Sequence, residues 1–309
     1  MHPNFTGDHN MNKINIADKH KSLIAGGALV ITAIIWGLSY SAQAKAMDHL
    51  QPLVFVALRY FAGAFLILIP VLLRLKKTPF DKKIILPGAI CGFCLAGGEI
   101  IQQYGLLYTS AGKAGFLTAL YVIMIPVIGV FIRKKSSLLI WTAAILSVAG
   151  SYMLCFTGTW EAISNKGDFL MILCALFFAF QFIAIAKFAP DADTLQLSFV
   201  QFLTVAIIST AAALIAGESW SSSGICGAMA PLLYCGLIAI GLACTVQVGA
   251  QKYVHPATAS IILSLASVFA VIWGCLLLGE KYSLLNLAGC AVILTAVILV
   301  QLPERKVKN

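Results

Sequence analysis

The chain has 309 residues, of which 60% are hydrophobic and only 11% carry a charged side chain. A soluble globule of this size needs more polar surface than that, so the composition argues against a water-soluble enzyme. The formal net charge is +9. In a chain this apolar, the distribution of Lys and Arg among the loops indicates membrane topology before it suggests nucleic acid.

Ten apolar segments follow a polar tail that shows no signal-peptide pattern, and each is long enough to cross about 30 Å of hydrocarbon as a helix. The connections are short and hold most of the charge, Pro, Gly and Ser. The pattern predicts an all-α polytopic membrane protein of ten transmembrane helices. The segments lie at 22–43, 52–73, 84–107, 112–132, 138–156, 168–186, 195–216, 225–250, 256–278 and 284–302.

The basic residues are distributed unevenly between the two sides of this bundle. With the N-terminus inside, sixteen Lys and Arg fall on the cytoplasmic side, and Arg59 lies within a helix. The other side receives Lys45, Lys113, Lys166 and Lys281. The positive-inside rule therefore predicts cytoplasmic N- and C-termini in an inner or plasma membrane.

An internal repeat divides the chain into two five-helix halves. A shift of 145 places Gln102 on Gln247 and Tyr108 on Tyr253, and in the first two helices a shift of 142 places Arg59 on Gln201. Five helices is an odd number, so the second copy must be inverted in the membrane. The predicted organisation is a cytoplasmic tail at 1–21, a first repeat at 22–156, a connecting loop at 157–167, a second repeat at 168–302 and a cytoplasmic tail at 303–309.

Three stretches resemble the EamA family of the drug/metabolite transporter superfamily. They are IIWGLSYSAQAKAMDHLQPLVFVALRYFAG at 34–63, YTSAGKAGFLTALYVIMIPVIGVF at 108–131 and QKYVHPATASIILSLASVFAVIWGCLLLGEKYS at 251–283. The resemblance implies an inner-membrane carrier built of two EamA repeats, which moves small metabolites, often outward, without ATP. The chain departs from the family at Lys134-Lys135, where many repeats carry Gly-Glu, and at Ala266, where similar sequences often carry an acidic residue.

Two charged residues inside predicted helices are the main candidates for a substrate site. Arg59 lies seven residues into the second helix, where an unpaired guanidinium would be costly in hydrocarbon. It is suited to anchoring a carboxylate or phosphate, although snorkelling to the interface is an alternative. Glu99 shares a face of the third helix with Gln102, and it is a candidate for binding an amine, for pairing with Arg59 or for proton coupling. A static helix-to-helix pair is its structural alternative.

Aromatic and amide side chains from both halves are the remaining cavity candidates. Trp36, Tyr40 and Gln43 form a stripe on the first helix, for which ordinary helix packing or an interfacial aromatic belt is the alternative. An interhelical hydrogen bond alone would account for each single Gln, but together these residues favour a polar central cavity. The candidates of this kind are Trp36, Tyr40, Gln102, Tyr121, Gln181, Gln201, Gln247 and Trp273.

Pro126 interrupts backbone hydrogen bonding within the fourth helix, which is consistent with either a hinge or a fixed kink. Cys91 and Cys94 match a C-x-x-C pattern but lie in an apolar segment, and no metal-ligand spacing or catalytic motif is evident. We therefore expect no metal, no cofactor and no catalytic residues. The sequence also lacks an ATP-binding loop, which argues against an ATP-driven pump.

These observations favour a secondary transporter of a small polar or amphipathic metabolite, such as an amino acid or a drug, that works by alternating access between the two inverted repeats. The family resemblance implies export rather than uptake. The expected partners are the small-molecule substrate and the lipid bilayer, with no nucleic acid and no ATP. The sequence is also compatible with a homo-oligomer. The alternatives are a membrane-embedded lipid-modifying enzyme, which should show a clustered catalytic constellation, and a non-transporting membrane sensor.

Overall fold

The computed structural model describes residues 16–109, 111–133, 136–155, 166–278 and 281–301. Most of the predicted tails and of the 157–167 loop lie outside these ranges. Within them the chain forms helices joined by short connections, and ten helical segments are long and apolar enough to cross a membrane. The protein is thus an all-α, multi-pass membrane protein, as the hydropathy pattern predicts.

The ten spanning segments are named α1 to α10 in chain order. The helix of α1 begins at Ile16, four residues before its apolar span. The spans are His20–Ala46, Pro52–Arg74, Lys82–Gly105, Ala114–Phe131, Leu138–Cys155, Lys166–Asp191, Thr194–Ala216, Met229–Ala250, Pro256–Leu276 and Leu284–Gln301.

Three of the spans are divided or change helix type within their length, apart from the short 3-10 turns at Lys82–Ile84 and Ala189–Asp191. The helix of α4 is divided into Ala111–Ala119 and Tyr121–Phe131, and α9 is divided into Pro256–Leu263 and Leu265–Trp273. The middle of α8, Tyr234–Cys244, is π-helical, as is the end of α9. Such departures from α geometry are common at functional positions in membrane transporters.

Helix packing is symmetric between the two halves of the chain. The helix α3 packs against α6 and α7, and its counterpart α8 packs against α1 and α2. The contact between α1 and α9 likewise has a counterpart in the contact between α6 and α4, while α2 packs on α7 and α5 on α10. Adding five to every helix number reproduces these pairings, so the fold has the two-repeat architecture that the sequence register predicts.

One end of the bundle, here called the basic face, contains the connections 75–81, 189–193 and 251–255. Gln196, in the first turn of α7, holds the first of them, because its Oε1 accepts from the backbone N–H of Asp81 at 3.0 Å. Lys252 joins the third connection to the second, because its Nζ donates to the carbonyl oxygen of Ala192 at 2.5 Å. Burial lowers the pKa of Lys252, and the nearby carboxylate of Asp193 opposes this effect.

The other end, here called the opposite face, contains the connections 47–51, 106–109 and 217–228. The backbone N–H of Ser219 donates to Oε1 of Gln51 at 2.7 Å, and Thr109 donates to Asp168 at 2.8 Å. Most described cations lie at the basic face rather than here. Those at the basic face are Lys21, Arg74, Lys76, Lys77, Lys82, Lys83, Arg133, Lys187 and Lys252.

Small residues allow the closest helix contacts. A Cβ atom at Gly289 in α10 would lie 2.6 Å from the carbonyl oxygen of Gly150 in α5, a distance that real Cβ atoms do not adopt. The two glycines therefore let the backbones of α5 and α10 approach closely, as small residues do at the interfaces of transmembrane helices. The contact pairs α5 with α10, and neither helix contributes a lining residue to the central cavity described below.

Candidate substrate cavity

A cavity of about 110 Å³ lies in the middle of the bundle. Its walls come from α1, α2, α3, α4, α6, α8 and α9, so both repeats contribute. A cavity of this size has room for several water molecules or for a small solute. Its polar wall consists mainly of amide and charged side chains, which are Gln43, Arg59, Glu99, Gln102, Gln181 and Gln247.

The two charged side chains of this wall form an ion pair. The guanidinium of Arg59 in α2 contacts the carboxylate of Glu99 in α3, and the Tyr60 hydroxyl donates to Glu99 Oε1 at 2.9 Å. Arg59 is 3% exposed and Glu99 is 16% exposed. The guanidinium also lies over the ring of Phe55, with Cζ 4.9 Å from the ring centroid. The pair keeps both charges away from lipid and leaves the cavity without net charge.

The start of α2 determines where Arg59 lies. Pro52 occupies the first turn, where its missing N–H costs nothing. Oε2 of Glu218, from the connection after α7, accepts from the backbone N–H groups of Leu53 and Val54 at 2.9 and 3.0 Å. A carboxylate at a helix N-terminus stabilises it through both hydrogen bonds and the helix dipole. The helix therefore begins at a defined position at the opposite face and carries Arg59 two turns into the bundle.

Several polar atoms of the wall have no partner among the described residues. They are Nε of Arg59, Oε1 of Gln43 and Nε2 of Gln247. The side chain of Gln102, in contrast, donates from Nε2 to the Thr118 hydroxyl at 3.4 Å. Because buried polar groups are normally satisfied, these atoms indicate a cavity that holds water or a polar solute.

The π-helical part of α8 contributes to the cavity wall next to Trp36. Trp36 Nε1 donates to the carbonyl oxygen of Ala239 at 3.0 Å, and the Tyr234 hydroxyl donates to the carbonyl oxygen of Ile35 at 2.7 Å. A π-helical segment changes the regular pattern of backbone bonds and makes carbonyl oxygens available to side chains. Trp36 is thereby held at the cavity by a specific hydrogen bond as well as by packing.

The divisions of α4 and α9 lie at the cavity and at nearly equivalent repeat positions. At Leu120 the backbone N–H bonds to the carbonyl of Leu117 at 3.3 Å, and at Ser264 it bonds to that of Ile261 at 3.2 Å as well as to a regular partner. The 145-residue shift relates Leu120 to Leu265, one residue from Ser264. Pro126 is buried six residues beyond Leu120, so the division of α4 and its proline are separate features.

Most of the candidates from the sequence come together at this cavity. Gln201 and Trp273 are not among its lining residues, and the Trp273 indole instead donates to the carbonyl oxygen of Ile34 at 3.2 Å. The side chain of Tyr40 lies outside the described part of the chain. The candidates that line the cavity are Trp36, Arg59, Glu99, Gln102, Tyr121, Gln181 and Gln247.

Smaller side chains that the sequence interpretation left out also line the cavity, among them Ser39, Thr118 and Ser267. The internal repeat indicates Ser39 as a wall residue, because the 142-residue shift relates it to Gln181. Phe178, the counterpart of Trp36 under the same shift, lines the cavity too. Comparing the two repeats position by position would therefore have found residues that polarity alone does not.

No group of three or more His, Cys, Asp or Glu in the described ranges could hold a metal ion. Cys91 and Cys94 are free thiols in α3. The cavity's charged groups are the Arg59–Glu99 pair, and the rest of its polar wall is made of amides and hydroxyls. Such a wall is suited to binding a small solute through hydrogen bonds and paired charges.

Two related five-helix halves around a polar cavity at membrane depth are the architecture of a membrane transporter. The chain belongs to the EamA-like transporter family, which matches residues 24–156 and again residues 165–302. The two matches correspond to α1–α5 and α6–α10, in agreement with the internal repeat.

Curated relatives extend over nearly the whole chain. An uncharacterized transporter of Archaeoglobus fulgidus is 30% identical over 293 residues, which cover 93% of this chain and 88% of the relative. The uncharacterized inner membrane transporter YedA of Escherichia coli K12 is 24% identical, with 89% and 90% covered. A crystal structure shares the fold with a TM-score of 0.74 at 16% identity, and covers 91% of this chain and 96% of its own.

Proposed function

We propose that this protein is a secondary transporter of a small polar or amphipathic metabolite, such as an amino acid or a drug, and that the central cavity is its substrate site. One observation carries the proposal: the Arg59–Glu99 ion pair lines a cavity at membrane depth. Ionisable residues within spanning helices are costly, and those that line a cavity commonly mark substrate pathways.

The cavity wall suggests a division of roles. Arg59 offers an unpartnered Nε to an acidic or acceptor group of the substrate. Glu99 accepts from a basic or donor group, since only part of its hydrogen-bonding capacity is used by Arg59 and Tyr60. Gln102, Gln181 and Gln247 supply further polar contacts, while Trp36 and Tyr121 provide apolar surface.

The two-repeat fold supports alternating access as the transport mechanism. Inverted repeats can exchange conformations, and each exchange opens the same central site to the other side of the membrane. The divided helices α4 and α9 supply places where the cavity wall can bend, and Pro126 is a candidate hinge within α4. No ATP is required, because the substrate or a coupled ion moves down its gradient.

The charge distribution supports an orientation with the basic face in the cytoplasm. That orientation places the N- and C-termini on the cytoplasmic side of an inner or plasma membrane. Export is the proposed direction, since members of the EamA family often move metabolites outward. Glu99 is the candidate for proton coupling, because it is the acidic member of the cavity wall and is partly accessible to water.

Reconstitution tests this function. The purified protein is placed in liposomes, and uptake of a pooled metabolite set is measured with and without a pH gradient. Arg59→Ala and Glu99→Gln are compared with Lys45→Ala, which removes an exposed cation at the end of α1. We expect wild-type and Lys45→Ala flux for at least one compound and reduced flux in the cavity variants. No wild-type flux for any compound would reject the transporter proposal.

A further inference from the structure

The residues that line the cavity come in pairs related by the internal repeat. The repeat shifts relate Ser39 to Gln181 and Gln102 to Gln247, and all four line the cavity. The same holds for Trp36 with Phe178, Leu95 with Ile240, Glu99 with Cys244, Thr118 with Leu263, Ala119 with Ser264 and Tyr121 with Ala266. The centre of the site is therefore built symmetrically from both halves.

Six lining residues have described counterparts that do not line the cavity: Gln43, Arg59, Gly115, Cys235, Ala239 and Ser267. Ala239 and Ser267 lie near the middle of their spans, and the other four lie on one side of the centre. Gln43 and Arg59 line the cavity, but their counterparts Ile185 and Gln201 do not. Cys235 also lines it without its counterpart Ile90. Gln43 lies in the last turn of α1, and both Arg59 and Cys235 lie near the starts of their spans, so all three are closer to the opposite face. Their counterparts lie closer to the basic face.

Arg59 and Gln201 occupy equivalent places in the structure as well as in the sequence. A Cβ atom at Gly236 in α8 would lie 2.9 Å from the carbonyl oxygen of Arg59 and 2.7 Å from Cβ of Ala62. A Cβ atom at Gly92 in α3 would lie 2.7 Å from the carbonyl oxygen of Gln201 and 2.6 Å from Cβ of Thr204.

The 142-residue shift relates Ala62 to Thr204, just as it relates Arg59 to Gln201. The 145-residue shift places Gly92 one residue from Gly236, and the π-helical stretch of α8 accounts for an offset of this size, because it changes the local residue count per turn. The two helix contacts are thus the same contact made once in each half.

The two counterparts differ in their surroundings. Arg59 has Glu99 as its partner, whereas Gln201 is fully buried and neither its Oε1 nor its Nε2 has a partner among the described residues. A buried amide with both ends unsatisfied is unfavourable in a static structure. It is explained if the same side chain meets water or solute in another conformation of the protein.

We propose that Gln201 becomes a wall residue of the substrate site when the cavity opens to the basic face, in the place that Arg59 occupies in the present conformation. This inference rests on the proposed transport function. The bound solute then contacts the Arg59 guanidinium in the present conformation and the neutral Gln201 amide in the conformation that is open to the basic face. A group that both can hold is a hydrogen-bond acceptor such as a carboxylate or a carbonyl, so the substrate carries one at this end.

The proposed replacement of Arg59 by Gln201 in the cavity wall, here called the exchange, can be tested directly by cysteine accessibility. In a variant in which the native cysteines are replaced, Gln201→Cys is introduced, and a parallel variant retains only Cys235. A membrane-impermeant maleimide is applied to vesicles of each orientation, because the reagent modifies only thiols that water reaches. We expect Gln201→Cys to react from the basic face and Cys235 from the opposite face, both at rates that the compound transported in the pooled-metabolite assay lowers.

Gln201→Leu provides a second readout. We expect it to raise the thermal midpoint, since it removes two unsatisfied polar atoms, and to lower flux about fivefold or more by favouring the present conformation. Ser209→Ala is the control: its hydroxyl is also buried and unpartnered on α7, but its repeat counterpart, Ile67, is not a wall residue. Its flux should stay near that of the wild type.

The outcomes separate the two proposals. Flux by the wild type together with a Gln201→Cys thiol that reacts only from the opposite face, or from neither face, would overturn the exchange and leave the transport function intact. Normal flux in Gln201→Leu would also contradict it. Absence of transport by the wild type would reject the underlying function instead.

Discussion

The guanidinium of Arg59 contacts the carboxylate of Glu99 across the contact between α2 and α3, and the hydroxyl of Tyr60 donates to the same carboxylate at 2.9 Å. The three groups join two helices of the first repeat at the wall of the central cavity. Each charge is acceptable at membrane depth because the other is present.

Removing one partner of this pair is therefore expected to lower the free energy of unfolding more than removing both partners. Arg59→Met should lower the stability of the purified protein by about 2 kcal/mol or more, because it leaves a carboxylate with less compensation. The Arg59→Met/Glu99→Gln double variant should regain part of this loss, which a double-mutant cycle of thermal unfolding in detergent measures. Additive effects of the two single variants would contradict the coupling.

A pH gradient should act through Glu99. If this carboxylate carries the coupled proton, Glu99→Gln abolishes the increase in flux that the gradient causes, while exchange of substrate across liposomes without a gradient continues. The measurement is flux of the identified substrate with and without the gradient, with Asp81→Asn as a control that removes an exposed carboxylate outside the cavity. A response to the gradient that is unchanged in Glu99→Gln would remove Glu99 as the coupling group.

The carboxylate of Glu218 fixes the start of α2 from the other repeat. It accepts two backbone hydrogen bonds and one from the Tyr104 hydroxyl at 3.1 Å. Glu218→Ala should destabilise the protein by about 1–2 kcal/mol, as the loss of a helix cap typically does. Asp81→Ala is the matched control, because this exposed side chain caps only a short turn at Lys83. Equal effects of the two substitutions would contradict the role given to Glu218.

The contact between α5 and α10 depends on glycine at position 289. A methyl group there would lie 2.6 Å from both the carbonyl oxygen of Gly150 and the backbone nitrogen of Leu154. Gly289→Ala should therefore destabilise the fold by about 1–3 kcal/mol with little change in substrate affinity. Gly27→Ala in α1, where nothing lies within 4 Å, should be neutral or slightly stabilising. A stable Gly289→Ala protein would show that the helices separate without cost.

Much of the fold follows from sequence patterns, because the physical requirements of the bilayer are simple. Each span needs a long apolar helix, and the ten predicted segments correspond to the ten spans of the structure. The repeat register also agrees with the symmetric helix packing. What hydropathy does not reveal is local backbone geometry, such as the division at Ser264 or the π-helical Tyr234–Cys244, because these depend on tertiary packing.

The candidate site was predicted in its charged members but only partly in its amides. Arg59 and Glu99 are conspicuous because hydrocarbon tolerates so few charges. Gln181 and Gln247 line the cavity whereas Gln201 does not, although all three are polar residues of spanning helices. Polarity does not determine the rotation of a helix about its axis, and small wall residues such as Ser39 and Ser267 leave no distinct mark in the composition.

Substrate exchange through the central cavity tests the account most directly. Liposomes loaded with unlabelled substrate are mixed with labelled substrate, and its entry is followed for the wild type, Arg59→Ala and Lys45→Ala at equal protein density. We predict accumulation of label with the wild type and Lys45→Ala, and a loss of about tenfold or more with Arg59→Ala, because a charge-assisted contact to the substrate is removed. Exchange by Arg59→Ala at the wild-type rate would contradict the assignment of this cavity as the substrate site.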